Sequence, residues 1–173
     1  MSSASDANDE PSRAKRQARE YDWLGAIETY EKGLSVISEK DFSTLGEVYE
    51  RLGYASYKAA MQAGDISEFR DRIRKAAANY EKARESCAKL SGAKLRAKIL
   101  RCDAMTAYVG HWVASEVSEK KRLLDECWKL AKESLKAFEQ TGETLEYART
   151  HDQLSSSSIL LFTRESDFKC RES

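Results

Sequence analysis

Apolar residues recur every three or four positions along most of this chain, the period of a helix resting one face on a core. The pattern predicts seven helices. A short, highly charged one covers about residues 12–20 and is opened by Pro11. A second runs from Asp22 to about Ser38, with Trp23, Ala26, Ile27, Tyr30, Leu34 and Ile37 as its stripe. Thr44-Leu-Gly-Glu47 has the form of a capping box, so a third helix is expected from there to about Ala63, through Leu45, Val48, Tyr49, Leu52, Ala55 and Ala59. Gly64 is its expected stop and Asp65, with Glu68, the cap of a fourth. The fourth, about 66–90, has the cleanest stripe: Ile66, Phe69, Ile73, Ala76, Tyr80, Ala83, Cys87 and Leu90. Gly92 separates it from a fifth, about 93–116, with Leu95, Ile99, Cys102, Met105, Val109, Trp112 and Val113. Ser118 is read as the cap of a sixth, about 119–140, with Leu123, Cys127, Leu130, Ala131, Leu135 and Phe138, ended by Gly142. A seventh starts near Thr144 and carries Leu145, Ala148, Leu154, Ile159 and Phe162. No run of alternating β-branched residues suggests a strand.

Within this pattern a shorter one repeats. Ala26, Tyr30 and Gly33 are echoed by Ala76, Tyr80 and Ala83, and more loosely by Ala131, Leu135 and Phe138. A small residue, a large one four later and a packing residue three beyond that share one helix face, where the small residue admits a close neighbour. Recurrence of such a unit implies stacked helical hairpins. Short connections force consecutive helices to run antiparallel.

Composition agrees with long amphipathic helices: 41% hydrophobic, 34% charged and one proline. The charge sums to zero but is unevenly spread. Residues 61–101 hold 11 Lys and Arg against 5 Asp and Glu, while 1–60 hold 8 against 11 and 102–173 hold 10 against 13. Residues 1–11 are polar and acidic and are read as a disordered tail, 12–162 as the helical domain and 163–173 as a polar tail. The first ten residues lack the pattern of a secretory signal, and no apolar run has the length of a membrane span, so a cytoplasmic protein is expected. Four cysteines without a C-x-x-C pair fit buried free thiols in a reducing compartment.

The repeated triplet resembles the second helix of the tetratricopeptide repeat, and Tyr49-x-x-Leu52-Gly53 resembles the core of its first helix. The resemblance implies an all-α fold, a right-handed array of helical hairpins over residues 12–162. It departs from the family in period, since Ala26 to Ala76 is 50 residues and Ala76 to Ala131 is 55, and in lacking the closing prolines. Longer helices than usual are therefore expected. The last hairpin looks incomplete, which points either to its one helix packing as the cap or to a piece of a longer protein, and an uncapped end would be able to pair with a second copy.

The resemblance also implies a function: a non-catalytic scaffold that holds a peptide or helix of another protein in a groove lined by first helices. Carried onto the second hairpin, the groove positions are Glu47, Glu50, Tyr54, Tyr57 and Lys58. A regulatory or sensing module of a longer signalling protein is the alternative within that class. The basic segment (Arg70, Arg74, Lys94, Arg96, Lys98, Arg101) raises nucleic-acid binding, which the absence of interleaved aromatics disfavours. Catalysis has little support. His111 and His151 are read as packing within the helix stack, and Ser155–Ser158 lack the surroundings of a nucleophile. His111, Cys102 and Cys127 lack the short spacing of metal ligands, and no phosphate-binding glycine loop occurs, so neither metal nor cofactor is expected.

Overall fold

The computed structural model describes the backbone of residues 4–151 and the side chains of residues 12–151. The described chain is all-α, with no strand. Six helices come first: α1 (Ala4–Arg19), α2 (Trp23–Leu34), α3 (Phe42–Ala60), α4 (Ile66–Ala88), α5 (Ala93–Val113) and α6 (Val117–Thr141). A seventh, α7, begins at residue 144 and is helical to the last described residue, 151. The chain divides into two compact units, Met1–Leu90 and Ser91–Ser173.

In the first unit each helix packs on the next: α1 on α2, α2 on α3, α3 on α4. α1 begins earlier than the expected position 12, within residues read from their composition as a disordered tail, and passes through Pro11. Its charge order accounts for this: Asp6, Asp9 and Glu10 fall in the N-terminal half and Arg16 and Arg19 in the last turn, an arrangement that complements the helix dipole. Its inner side reaches the core through Ala14, which packs with Ala26, Tyr30, Val48 and Leu52.

α2 opens where expected, and Asp22 is its cap, with Oδ1 accepting the Gly25 N–H at 2.9 Å. It ends at Leu34, four residues before the expected Ser38. The Ser35 hydroxyl donates to the Lys32 carbonyl at 2.7 Å, a local bond that competes with continuing the helix. Ile37 still packs against the α1–α3 core from the following turn. α3 begins earlier than the capping-box reading placed it. Asp41 is its cap, accepting the Thr44 N–H at 3.1 Å, and Glu47 pairs with Arg51 instead of reaching back. It also stops earlier, at Ala60, where Arg72 of α4 donates to the Ala59 carbonyl at 2.6 Å. Gly64 has no left-handed conformation and is no helix stop; its N–H donates to Glu68 Oε2 at 2.7 Å. Asp65 does cap α4, accepting from the N–H groups of Ser67 and Glu68 at 2.8 and 2.9 Å.

The α3–α4 pair is set by two glycines. A Cβ on Gly53 would lie 3.0 Å from the Tyr80 ring, and one on Gly46 would lie 3.1 Å from Cys87 Sγ. Gly46 opposite Cys87 and Gly53 opposite Tyr80 define an antiparallel register. In it Ile73, Ala76, Tyr80, Ala83 and Cys87 are buried as the stripe predicts. Ile66, predicted in the same stripe, is exposed, because α3 has already ended where it would need a partner. Burial of Leu52 and Ile73 contributes about 1.5–3 kcal/mol each.

In the second unit α5 and α6 form an antiparallel pair. Ser134 donates to the Ala97 carbonyl at 2.8 Å at one end, and Gly110 faces Leu123 at the other. α5 starts after Gly92, whose φ of 138° suits glycine alone, and stops at Val113, short of the expected 116. α6 starts at Val117 after Glu116, so Ser118 lies inside the first turn and is not its cap. Gly142 ends α6 as expected, left-handed at φ 70°. The α7 face differs from the expected one. Leu145 and Ala148 point outward, while Glu146 and Thr150 are buried. The reason is an arginine in the core: Arg101 of α5 is fully enclosed and donates to Glu146 Oε2 at 2.6 Å. Leu154, Ile159, Phe162 and the tail from 163 lie outside the described residues.

Candidate functional site

On α3, Val48, Leu52, Ala55 and Ala59 pack with α2 residues, and Gly46 and Gly53 receive α4. Between these contacts run Glu47, Glu50, Tyr54, Tyr57 and Lys58, spaced by three and four as one strip, with Glu50 and Tyr57 one turn beyond Gly46 and Gly53 on the α4 flank and Tyr54 and Lys58 on the α2 flank. Glu47 is exposed and the other four are half-buried. Glu47 Oε1 accepts from Arg51 Nη2 at 2.6 Å. Burial opposes the Arg51 charge, but that bond and the charges of Glu47 and Glu50 hold the guanidinium above its ordinary value.

The C-terminal half of the strip rests on Trp23, at the start of α2. Tyr54 meets the Trp23 ring edge-on, with centroids 5.7 Å apart, and Lys58 Nζ lies 5.9 Å from the ring centroid. Trp23 itself is buried against Ala55 and Ala59. Tyr21 adds a third ring, edge-on to Trp23 at 6.4 Å. Sequence reasoning named Trp23 only as core and gave Tyr21 no role in the site. The hint in the sequence was the closeness of two aromatics around the Asp22 cap. Their approach to Tyr54 depends on how α2 lies against α3.

Not every residue of the basic segment reaches the surface. Arg70 and Arg96 are exposed, but Arg74 pairs with Asp71 at 3.0 Å and Lys94 with Glu143 at 2.8 Å. Lys98 is half-buried and contributes its charge to Glu146. Arg101 is the correction: it is 1% exposed, lies over the Phe138 ring at 5.2 Å and serves the interior of the second unit. An arginine at helical spacing from other basic residues looks exposed until a carboxylate from a distant helix is brought to it. The segment is also divided between the two compact units, Arg70 and Arg74 in one, Lys94 to Arg101 in the other.

His111 is buried, its Nδ1 against the Tyr108 carbonyl and its ring between Tyr108 and Trp112, as expected of a packing histidine. His151, expected on an inner face, is exposed and stacks on Tyr147. Cys87, Cys102 and Cys127 are buried and form no disulfide among the described residues. Among the described residues no group of three or more His, Cys, Asp and Glu side chains is placed to hold a metal ion. No described helix is long and apolar enough to cross a membrane. Ser155–Ser158 and Cys170 lie outside the described residues. No protein-family model matches the chain, and no curated protein sequence matches it significantly.

Proposed function

We propose that this chain is a tetratricopeptide-like, non-catalytic interaction module that receives a peptide or helix of another protein along this strip of α3. The observation that supports this reading is the strip itself. Glu47, Glu50, Tyr54, Tyr57 and Lys58 run down α3 between its α2 and α4 contacts, with Tyr54 set edge-on against the buried Trp23 of α2. Tyrosine brings large contact area at a low cost in side-chain entropy, and a rigid aromatic support keeps it in place. The burial of Ala26, Ala76 and Ala131, the small residues of the repeated triplet, agrees with a hairpin-built scaffold.

The test is affinity capture from the native cell with the parent chain and with a Tyr54→Ala/Tyr57→Ala variant. The double variant is expected to lose its partner while its circular dichroism stays helical. Undiminished capture by a folded variant would refute the assignment of this strip of α3.

A further inference from the structure

At its C-terminal end the strip runs into a turn whose conformation favours a different residue from the one present. The bonds closing α1 are those of a Schellman turn: Tyr21 N–H donates to the Ala18 carbonyl at 3.3 Å and Asp22 N–H to the Gln17 carbonyl at 3.0 Å. This turn needs a left-handed residue, and Tyr21 supplies it with a φ of 61°. Glycine occupies that conformation freely, whereas a bulky side chain is strained there. Yet Tyr21 is 72% exposed, and its one ring contact among the described residues is the edge approach to Trp23. Folding gains little from a strained, exposed aromatic, and strain of this kind gathers where a surface is used.

The neighbours make a continuous surface. Gln62 Nε2 donates to the Tyr21 carbonyl at 3.4 Å, which holds the turn beside the end of α3. Met61, exposed, continues the line of Tyr54 and Lys58. Lys58 forms no ion pair with any carboxylate among the described residues; its ammonium group faces the Trp23 ring. Asp22 is engaged as the α2 cap. A cation beside aromatic groups, with no anion of its own, favours a carboxylate brought from outside, in a setting where apolar contact removes water and strengthens the attraction.

We propose that Tyr21, Trp23, Tyr54, Lys58 and Met61 anchor an acidic amphipathic segment of another protein, with its apolar side chain against Tyr21 and Met61 and its carboxylate facing Lys58. This rests on the partner-binding role proposed above and names the chemistry of that partner.

The experiment titrates the full isotope-labelled chain, followed by amide NMR, with a helical peptide bearing a leucine stripe flanked by glutamates and with its counterpart carrying lysines instead. The glutamate peptide is expected to shift the amides of Tyr21, Trp23, Lys58 and Met61 and to bind about tenfold more tightly than the lysine peptide. Lys58→Glu reverses that preference. Tyr21→Gly weakens the glutamate peptide by about tenfold while the melting temperature stays at or above that of the parent chain, a combination that a structural role for Tyr21 does not produce. Equal binding of the two peptides, an unreversed preference in Lys58→Glu, or no binding overturns the proposal. Shifts confined to Glu47 and Glu50 overturn it too, while leaving the broader α3 surface in place. Concentration-dependent self-association that broadens the same amides assigns the surface to a second copy and likewise removes the acidic partner.

Discussion

Arg101 and Glu146, 45 residues apart in the chain, meet in the interior of the second unit with Nη1 and Oε2 2.6 Å apart. The same Nη1 lies 3.4 Å from the Glu146 carbonyl and 3.5 Å from Thr150 Oγ1. Arg149 also pairs with Glu146, at 3.1 Å, and the Arg101 guanidinium rests on the Phe138 ring. The start of α7 is therefore held to α5 by charge and hydrogen bonding, while its Leu145 stays exposed. Removing the Glu146 side chain takes from Arg101 its carboxylate and its 2.6 Å charge-assisted bond. Glu146→Ala is expected to cost about 3 kcal/mol, read from urea denaturation, because Arg101 keeps its charge in an enclosed site.

The same pair gives the second unit a pH dependence. Burial would push the Glu146 carboxyl up, but the charge and hydrogen bond of Arg101, with the charges of Arg149 and Lys98, more than offset it and hold the group below the ordinary glutamate value. A carboxyl depressed in the folded state contributes stability that is fully present above its unfolded pKa and is lost as pH falls through the folded value. This stabilisation is therefore expected to start falling as pH drops through the ordinary glutamate range and to be gone below the folded-state value. Glu146→Gln should flatten that part of the stability profile, as followed by circular dichroism from neutral to acid pH.

Gly53 and Gly46 separate a rigid contact from a yielding one. At Gly53 a methyl group would meet the face of a fully buried tyrosine at 3.0 Å, with no room for the ring to move aside. Overpacking costs about 1–3 kcal/mol and the gain in helix propensity is about 1 kcal/mol, so Gly53→Ala is expected to be destabilising on balance. At Gly46 the nearest atom is Cys87 Sγ at 3.1 Å, the end of a small side chain, and the next atoms are 3.6 Å away. Gly46→Ala should lose less. Comparing the two urea midpoints checks the order.

Asp65 holds two N–H groups at the start of α4. Asp65→Ala should cost about 1 kcal/mol, measured by thermal melting, and Asp65→Ser should recover most of it because a hydroxyl also accepts from the first turn.

Much of the fold can be read from the chain alone. Helix period, the small residues of the repeated triplet and the caps Asp65 and Gly142 follow from rules that act over three or four residues, and the helices stand close to where those rules place them. The strip on α3 is legible for the same reason, since residues spaced by three and four share a side of any helix that forms. Local rules were less reliable at the ends of α2 and α3, where Ser35 and Arg72 offer the backbone other partners. What tertiary structure alone decided lies across larger separations. Arg101 looked like a surface cation because its carboxylate is a distant residue, and Glu146 turned a predicted apolar face outward to reach it. Tyr21 became part of a surface only when α2 settled on α3. Spacing specifies which residues share a side of a helix; which neighbour that side meets is set by packing, where burial, charge and shape are resolved together.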